Sequence, residues 1–203
     1  MSRSRFPRFL FLASIGVVLT VFLADCSSNA TTSAQFTASA TAQVPGLVKL
    51  VPKATSGSRA VVDVVIFGPE PNLDLLGFEF GIKIGDTNLV RFVPQSTYAQ
   101  SALVPEAGQT IATSVDGATD PSLVRIEVTK NGGGAGNSIA GASAVVIELA
   151  FDVQGSGATT LSIVGLGAGE PEALDSHRTP IAAVRFDAAS GGLRGVTTGG
   201  GGY

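Results

Sequence analysis

The sequence predicts an all-β domain, a two-sheet β-sandwich of about nine strands. Three observations carry that expectation. Apolar and polar residues alternate at period two in four separate segments, glycine-rich turn sequences divide those segments, and no window beyond the N-terminal run holds an apolar stripe at helical spacing. Composition agrees: 26 Gly, no Trp, two Tyr and a remainder rich in Val, Ala, Thr and Ser favour strands joined by turns.

In chain order, the first feature is an export signal. Arg3, Arg5 and Arg8 stand in an acid-free start, and Phe9–Ala24 then runs uncharged up to Asp25 and Cys26. This is the pattern of a secretory signal peptide. The run falls short of the roughly 20 residues that a helix needs to cross a bilayer core, which favours cleavage over a permanent span. Residues 1–25 are therefore expected to be a leader of lipoprotein type, because Leu23-Ala24-Asp25-Cys26 resembles the lipobox of bacterial lipoproteins. That resemblance implies acylation of the Cys26 thiol and cleavage just before it. Asp25 departs from the pattern, standing where a small residue is usual. A plain signal peptide or an uncleaved anchor are the alternatives, and all three export the rest of the chain.

Residues 26–45 read as a flexible tether, since the small, polar, uncharged SSNATTSAQFTASATAQ at 27–43 has little apolar surface to bury. The domain is expected over 46–196. Its clearest strands place Ala60, Val62, Val64 and Ile66 on one face, then Phe78, Phe80, Ile82 and Ile84 opposite Glu79, Gly81 and Lys83. Val124, Ile126 and Val128 alternate with Arg125, Glu127 and Thr129, and Val145, Ile147, Leu149, Phe151 and Val153 form the fourth apolar face. Shorter strands are expected at 47–51, 88–93, 110–115, 159–166, 181–186 and 192–196. Turn chemistry separates them at 68–72 (GPEPN), 116–121 (DGATDP), 131–137 (NGGGAGN) and 155–157 (GSG). Residues 197–203, ending in GGGGY, read as a glycine-rich tail.

Charge and reactive residues then exclude several classes. The net charge is −3, and removing the arginine-rich leader makes the domain more acidic, so no basic footprint for nucleic acid exists. With one Cys, no intramolecular disulfide forms. A single histidine, His177, leaves no multi-ligand His/Cys site for zinc or iron, and its neighbours Asp175 and Ser176 are too close in sequence to build a catalytic triad with it. The chain is read as a non-enzyme with no cofactor. Glu170, Glu172 and Asp175 in one loop, and Asp116 and Asp120 in another, leave Ca²⁺ as the one optional ion, although neither set follows a dedicated calcium-loop spacing.

The order of segments resembles a cohesin domain, the β-sandwich module that binds dockerins in bacterial cellulosome scaffolds. The resemblance runs from about Gly46 to Val196. It rests on an opening strand at 47–51, RAVVDVVIFG, LLGFEFGIKIGDTNLVRFVP, SLVRIEVT, AVVIELAFDVQGSGATTLSI and the closing Gly191-Gly192. It implies a nine-stranded jelly roll that binds a partner protein, dockerin-like, through a polar sheet face holding Glu79 and Lys83 beside Arg125 and Glu127. It also places Gly77 and Glu79 where that family often has Asn and Asp. Two other readings share the sandwich. A carbohydrate-binding module would recognise polysaccharide, but the absence of Trp, with Tyr98 the one Tyr inside the domain, argues against a flat aromatic platform. A structural lipoprotein of the cell envelope would bind neither. The expected location is the bacterial envelope, lipid-anchored through Cys26, or the exterior if Cys26 is not acylated.

Overall fold

A computed structural model describes residues 31–198; the leader, Cys26 and Tyr203 lie outside the described residues. Every regular element within them is a strand: β1 (Thr31–Thr37), β2 (Leu47–Ser56), β3 (Arg59–Phe67), β4 (Glu70–Ile84), β5 (Val90–Val93), β6 (Thr110–Asp116), β7 (Leu123–Asn131), β8 (Asn137–Ile139), β9 (Ser143–Val153), β10 (Gly157–Val164), β11 (Glu172–Asp175), β12 (Arg185–Phe186) and β13 (Gly191–Thr198). None of the described residues forms a helix long and apolar enough to cross a membrane. The strands build two sheets. The larger runs β1-β13-β10-β4-β7-β6, with β8 and β11 also paired to β4, and the smaller runs β12-β2-β3-β9-β5. All pairings are antiparallel except β12 with β2.

The period-two alternation does what it predicts except at Val145, where a register shift in the β3–β9 pairing puts Val146 into the core in its place. Phe78, Phe80, Ile82 and Ile84 of β4 point into the sandwich and are almost wholly buried, facing Val62, Val64 and Ile66 of β3 and Ile147, Leu149 and Phe151 of β9. Each such side chain contributes roughly 1.5–3 kcal/mol when buried. Phe80 packs on Phe186, ring centroids 5.8 Å apart, and Phe92 meets Phe151 edge-on at 6.0 Å, so the short edge strands β12 and β5 that carry Phe186 and Phe92 are tied to the core.

The thirteen strands exceed the nine expected because pairing rescues segments whose own patterns are weak. Glu172–Asp175, expected within an acidic loop, and Asn137–Ile139, expected at the end of a glycine-rich turn, each add a short strand to long β4. Within 68–72, expected to be a turn, β4 already begins at Glu70, whereas only Arg185–Phe186 of the expected 181–186 strand pairs.

The expected tether is the largest difference. Thr31–Thr37 forms β1 and pairs residue for residue with β13, from Thr31↔Thr198 to Thr37↔Gly192. Ala34 and Phe36 enter the core at 5% and 6% exposure, which repays the ordering of an otherwise polar strand. The following connection is fastened too. The Lys49 ammonium, buried, donates to the backbone oxygens of Ser39 (2.8 Å) and Thr41 (2.6 Å). The Asp187 carboxylate, also buried, accepts from the Ser39 hydroxyl, the Thr41 hydroxyl (2.9 Å) and the Ala189 N–H (3.0 Å). Burial pushes the Asp187 carboxyl up, but those hydrogen bonds and nearby Lys49 outweigh it and hold the group below the usual carboxylate range. Thr197 and Thr198, expected in the tail, complete β13 by the same pairing.

Candidate functional site

The outward face of the large sheet is where the sequence places Glu79, Lys83, Arg125 and Glu127, and the fold brings all four together. In the β4–β7 ladder Glu79 stands opposite Glu127, Gly81 opposite Arg125 and Lys83 opposite Leu123. The four charged residues are exposed. Directly opposite residues of antiparallel strands hold their Cβ atoms about 4.5–5.5 Å apart, so like charges in register repel. On the other side of β4, Glu172 of β11 stands opposite Glu79, which makes one row of three carboxylates: Glu172, Glu79, Glu127. The neighbouring row holds Arg125 opposite Asp116 of β6.

Glu172 is the member that sequence reading missed as part of this face. Its segment, Glu172-Ala173-Leu174-Asp175, buries only Ala173, opposite Phe78, and shifts register after Leu174, so no period announces itself.

In the Arg125 row, at Gly81, lies an apolar spot. A Cβ at Gly81 would lie 2.6 Å from Leu123 Cδ1 and 3.3 Å from both Leu166 Cδ2 and Val164 Cγ2, so those three half-buried side chains close over the glycine. Beside them Glu79, Leu166, Gly169, Glu170 and Glu172 line a shallow cleft of about 110 Å³. Gly77 is held to glycine by backbone: a Cβ there would lie 2.9 Å from the Val128 carbonyl oxygen and 3.1 Å from Thr129 Oγ1. The absence of a polar side chain at 77 therefore follows from the close β4–β7 approach.

The opposite face of the sandwich is charged as well, and although its register sets Asp63 opposite Glu148, two cations there sit on carboxylates. On the small sheet Lys53 bridges Glu148 and reaches Asp63 at 3.9 Å, while Arg59 contacts Asp152 at 2.9 and 3.1 Å. The Arg59 hydrogen bonds hold the Asp152 carboxyl below the usual range; burial pushes the Asp63 carboxyl up, against the pull of Lys53. Among the described residues, these are the ion pairs, and none of Glu79, Lys83, Arg125, Glu127 or Glu172 joins one.

Asp74, Asp116, Asp120 and Asp175 are occupied by local structure, in which His177 takes part only through its backbone N–H. Asp116 accepts from Ala118 N–H (2.9 Å), Thr119 N–H (3.1 Å) and the Thr119 hydroxyl (2.6 Å); Asp120 accepts from Ser122 N–H (2.8 Å) and its hydroxyl (2.7 Å). Those bonds hold both carboxyls below their usual range. Asp175 accepts the backbone N–H groups of His177 (2.9 Å) and Thr179 (2.8 Å), and the Ser176 hydroxyl donates to Asp74. Asp74 in turn accepts the Gly136 N–H at 2.6 Å, stapling two loops to β4. Among the described residues no group of three or more His, Cys, Asp or Glu is arranged to hold a metal ion.

Fold and face together define a two-sheet β-sandwich with one outward face whose charges are left open. Solved structures similar to it include a type II cohesin domain from the cellulosome of Acetivibrio cellulolyticus, at 10% identity, covering 75% of this chain and 95% of that one with a TM-score of 0.49. A type II cohesin–X-dockerin complex from the same organism matches at 11% identity over 75% and 94%, TM-score 0.45. The cohesin module of a family 33 glycoside hydrolase from Clostridium perfringens matches at 11% identity over 84% and 96%, TM-score 0.36. At these identities the likeness is one of fold. No family model matches the sequence, and no curated protein matches it.

Proposed function

We propose that this chain is an exported, cohesin-like binding module, held in the bacterial envelope by a lipid on Cys26, whose large-sheet outward face takes a partner protein. The observation that carries the reading is the contrast in charge pairing. One outward face sets Lys53 and Arg59 on its carboxylates, while the other lines up Glu172, Glu79 and Glu127 without a cation in contact. A like-charged row costs stability, and opposite charge on a docked partner would relieve it. The apolar spot of Leu123, Val164 and Leu166 supplies the desolvated centre that a protein interface needs among its polar surroundings. The sequence resemblance nominates a dockerin-like domain as the partner class.

Two measurements test the two halves. Substituting Glu79→Ala and Lys83→Ala together in the full-length chain, followed by affinity recovery from envelope extracts of the source cells, is expected to lose the partner; undiminished recovery overturns the face. Mass spectrometry of the membrane-extracted N-terminus is expected to find an acylated Cys26 as the first residue. An intact leader or a free thiol there overturns the anchor.

A further inference from the structure

We propose that the free edge of β6 is a second recognition site, which takes an extended, uncharged segment of a partner protein by strand addition. It is independent of the charged face, and it starts from how the edges of the two sheets are finished. In the small sheet the edge strands are short, four residues in β5 and two in β12. In the large sheet the β1 edge is partly engaged, since the Ala34 N–H donates to the Gly57 oxygen at 2.8 Å. β6, TIATSVD, runs seven residues with no lysine, no proline and no bulge in its pairing with β7. Short strands, bulges, prolines and inward charges are how proteins protect a sheet edge, and β6 uses none of them.

The hydrogen-bond alternation shows what this edge presents. The Ile84 N–H donates to the Ser122 oxygen, which sets the even-numbered residues of β7 towards β4 and the odd-numbered ones towards β6. In the β6–β7 register the odd residues of β7 stand opposite Thr110, Ala112, Ser114 and Asp116. Ile111, Thr113 and Val115 therefore aim their N–H and C=O groups away from the sheet. Among the described residues none of these groups meets a partner in the turns and loops. Donors and acceptors repeating every second residue match another extended backbone.

A groove accompanies the edge. The large sheet overhangs the small one here, so the inward side chains of Ile111, Thr113 and Val115 are only partly covered, by the loop that follows β5. Together with that loop's Gln95, Thr97 and Tyr98 they line an open groove of about 560 Å³. No charged residue lines it. Side chains at alternate positions of an added strand would enter this groove, which accepts small apolar, hydroxyl or amide groups and penalises an unpaired charge. A second copy of this chain fits less well, because it would bring its own loop after β5 into the same space.

The test is selection of peptides on the full-length chain from a displayed random library, with affinities of the selected peptides measured by fluorescence anisotropy. The expected peptides are uncharged at alternate positions, and on binding they slow amide exchange at Ile111, Thr113 and Val115. Thr113→Pro removes one outward N–H without breaking a bond to β7, so it is expected to weaken binding by about tenfold, the worth of one hydrogen bond. N-methylation of the selected peptide at alternate amides tests the same contact without altering the protein: one register abolishes binding and the other leaves it. The proposal is overturned by failure to select any peptide, by indifference to N-methylation, or by protection on β4 and β7 instead of β6. Binding of neutral oligosaccharides in place of peptides, or concentration-dependent dimers lost on Thr113→Pro, overturns it equally.

Discussion

The two outward faces of this sandwich carry similar charges and use them in opposite ways. On the small sheet, strands β2, β3 and β9 set Lys53 against Glu148 and Asp63, and Arg59 against Asp152. On the large sheet, the register of β11, β4 and β7 sets carboxylate beside carboxylate. A face whose cations already sit on its carboxylates has little to gain from a partner, and a face that lines up carboxylates gains from one that brings cations. The small sheet also sets Asp63 opposite Glu148, so the difference lies in the cation: Lys53, at a bulge in β2, reaches across β3 to both carboxylates, and the large-sheet row has no cation in that place.

The largest effect that would sharpen this contrast is steric. Gly77→Asn restores the side chain common in the resembled family, but its Cβ would press on the Val128 carbonyl, so a loss of about 2–3 kcal/mol in stability is expected by denaturant titration. An unchanged midpoint would show that β4 and β7 can part to admit a partner-binding side chain. Next, Glu148→Ala on the small sheet removes the Lys53 partner but also relieves Asp63 opposite it, so a net cost of about 0.5 kcal/mol is expected. The matching change on the large sheet should carry the opposite sign. Glu79→Gln breaks the carboxylate row and is expected to stabilise the free protein by about 0.5 kcal/mol, less at high salt. Destabilisation there would mean that the row is compensated, and the contrast would fail.

The smallest effect is in pH. Asp152 has a folded pKa below its unfolded value, so the Arg59 pair contributes fully above the unfolded pKa and is lost as pH falls through the folded one. Asp63 has the reverse sign: its raised pKa makes it a liability at neutral pH that protonation removes on acidification. Asp152→Asn should therefore flatten the acid limb of the stability curve, and Asp63→Asn should steepen it; identical curves for wild type and both variants would refute the assignment.

Much of this architecture is legible in the residues themselves. Long strands such as Phe78–Ile84 and Val124–Val128 announce a buried face because four or three apolar side chains recur at period two. β1 does not, since only Ala34 and Phe36 mark its buried side and its main support is a ladder to β13 at the far end of the chain. The site divides likewise. Glu79, Lys83, Arg125 and Glu127 are recognisable as polar-face residues of strands, but their meeting depends on which strands pair. Glu172 joins the row only through β11, whose pairing no local pattern encodes.

The β1–β13 ladder has a mechanical consequence. In the anchoring proposed above, only residues 27–30 separate the lipid-bearing Cys26 from β1, a span of at most about 18 Å from Cys26 to Thr31 even when fully extended. The sandwich would ride close to the bilayer with the Thr31 end inward. A pull directed along the β1 axis would load that strand in shear against β13, so that the bonds from Thr31 to Thr37 share the force together instead of opening one at a time.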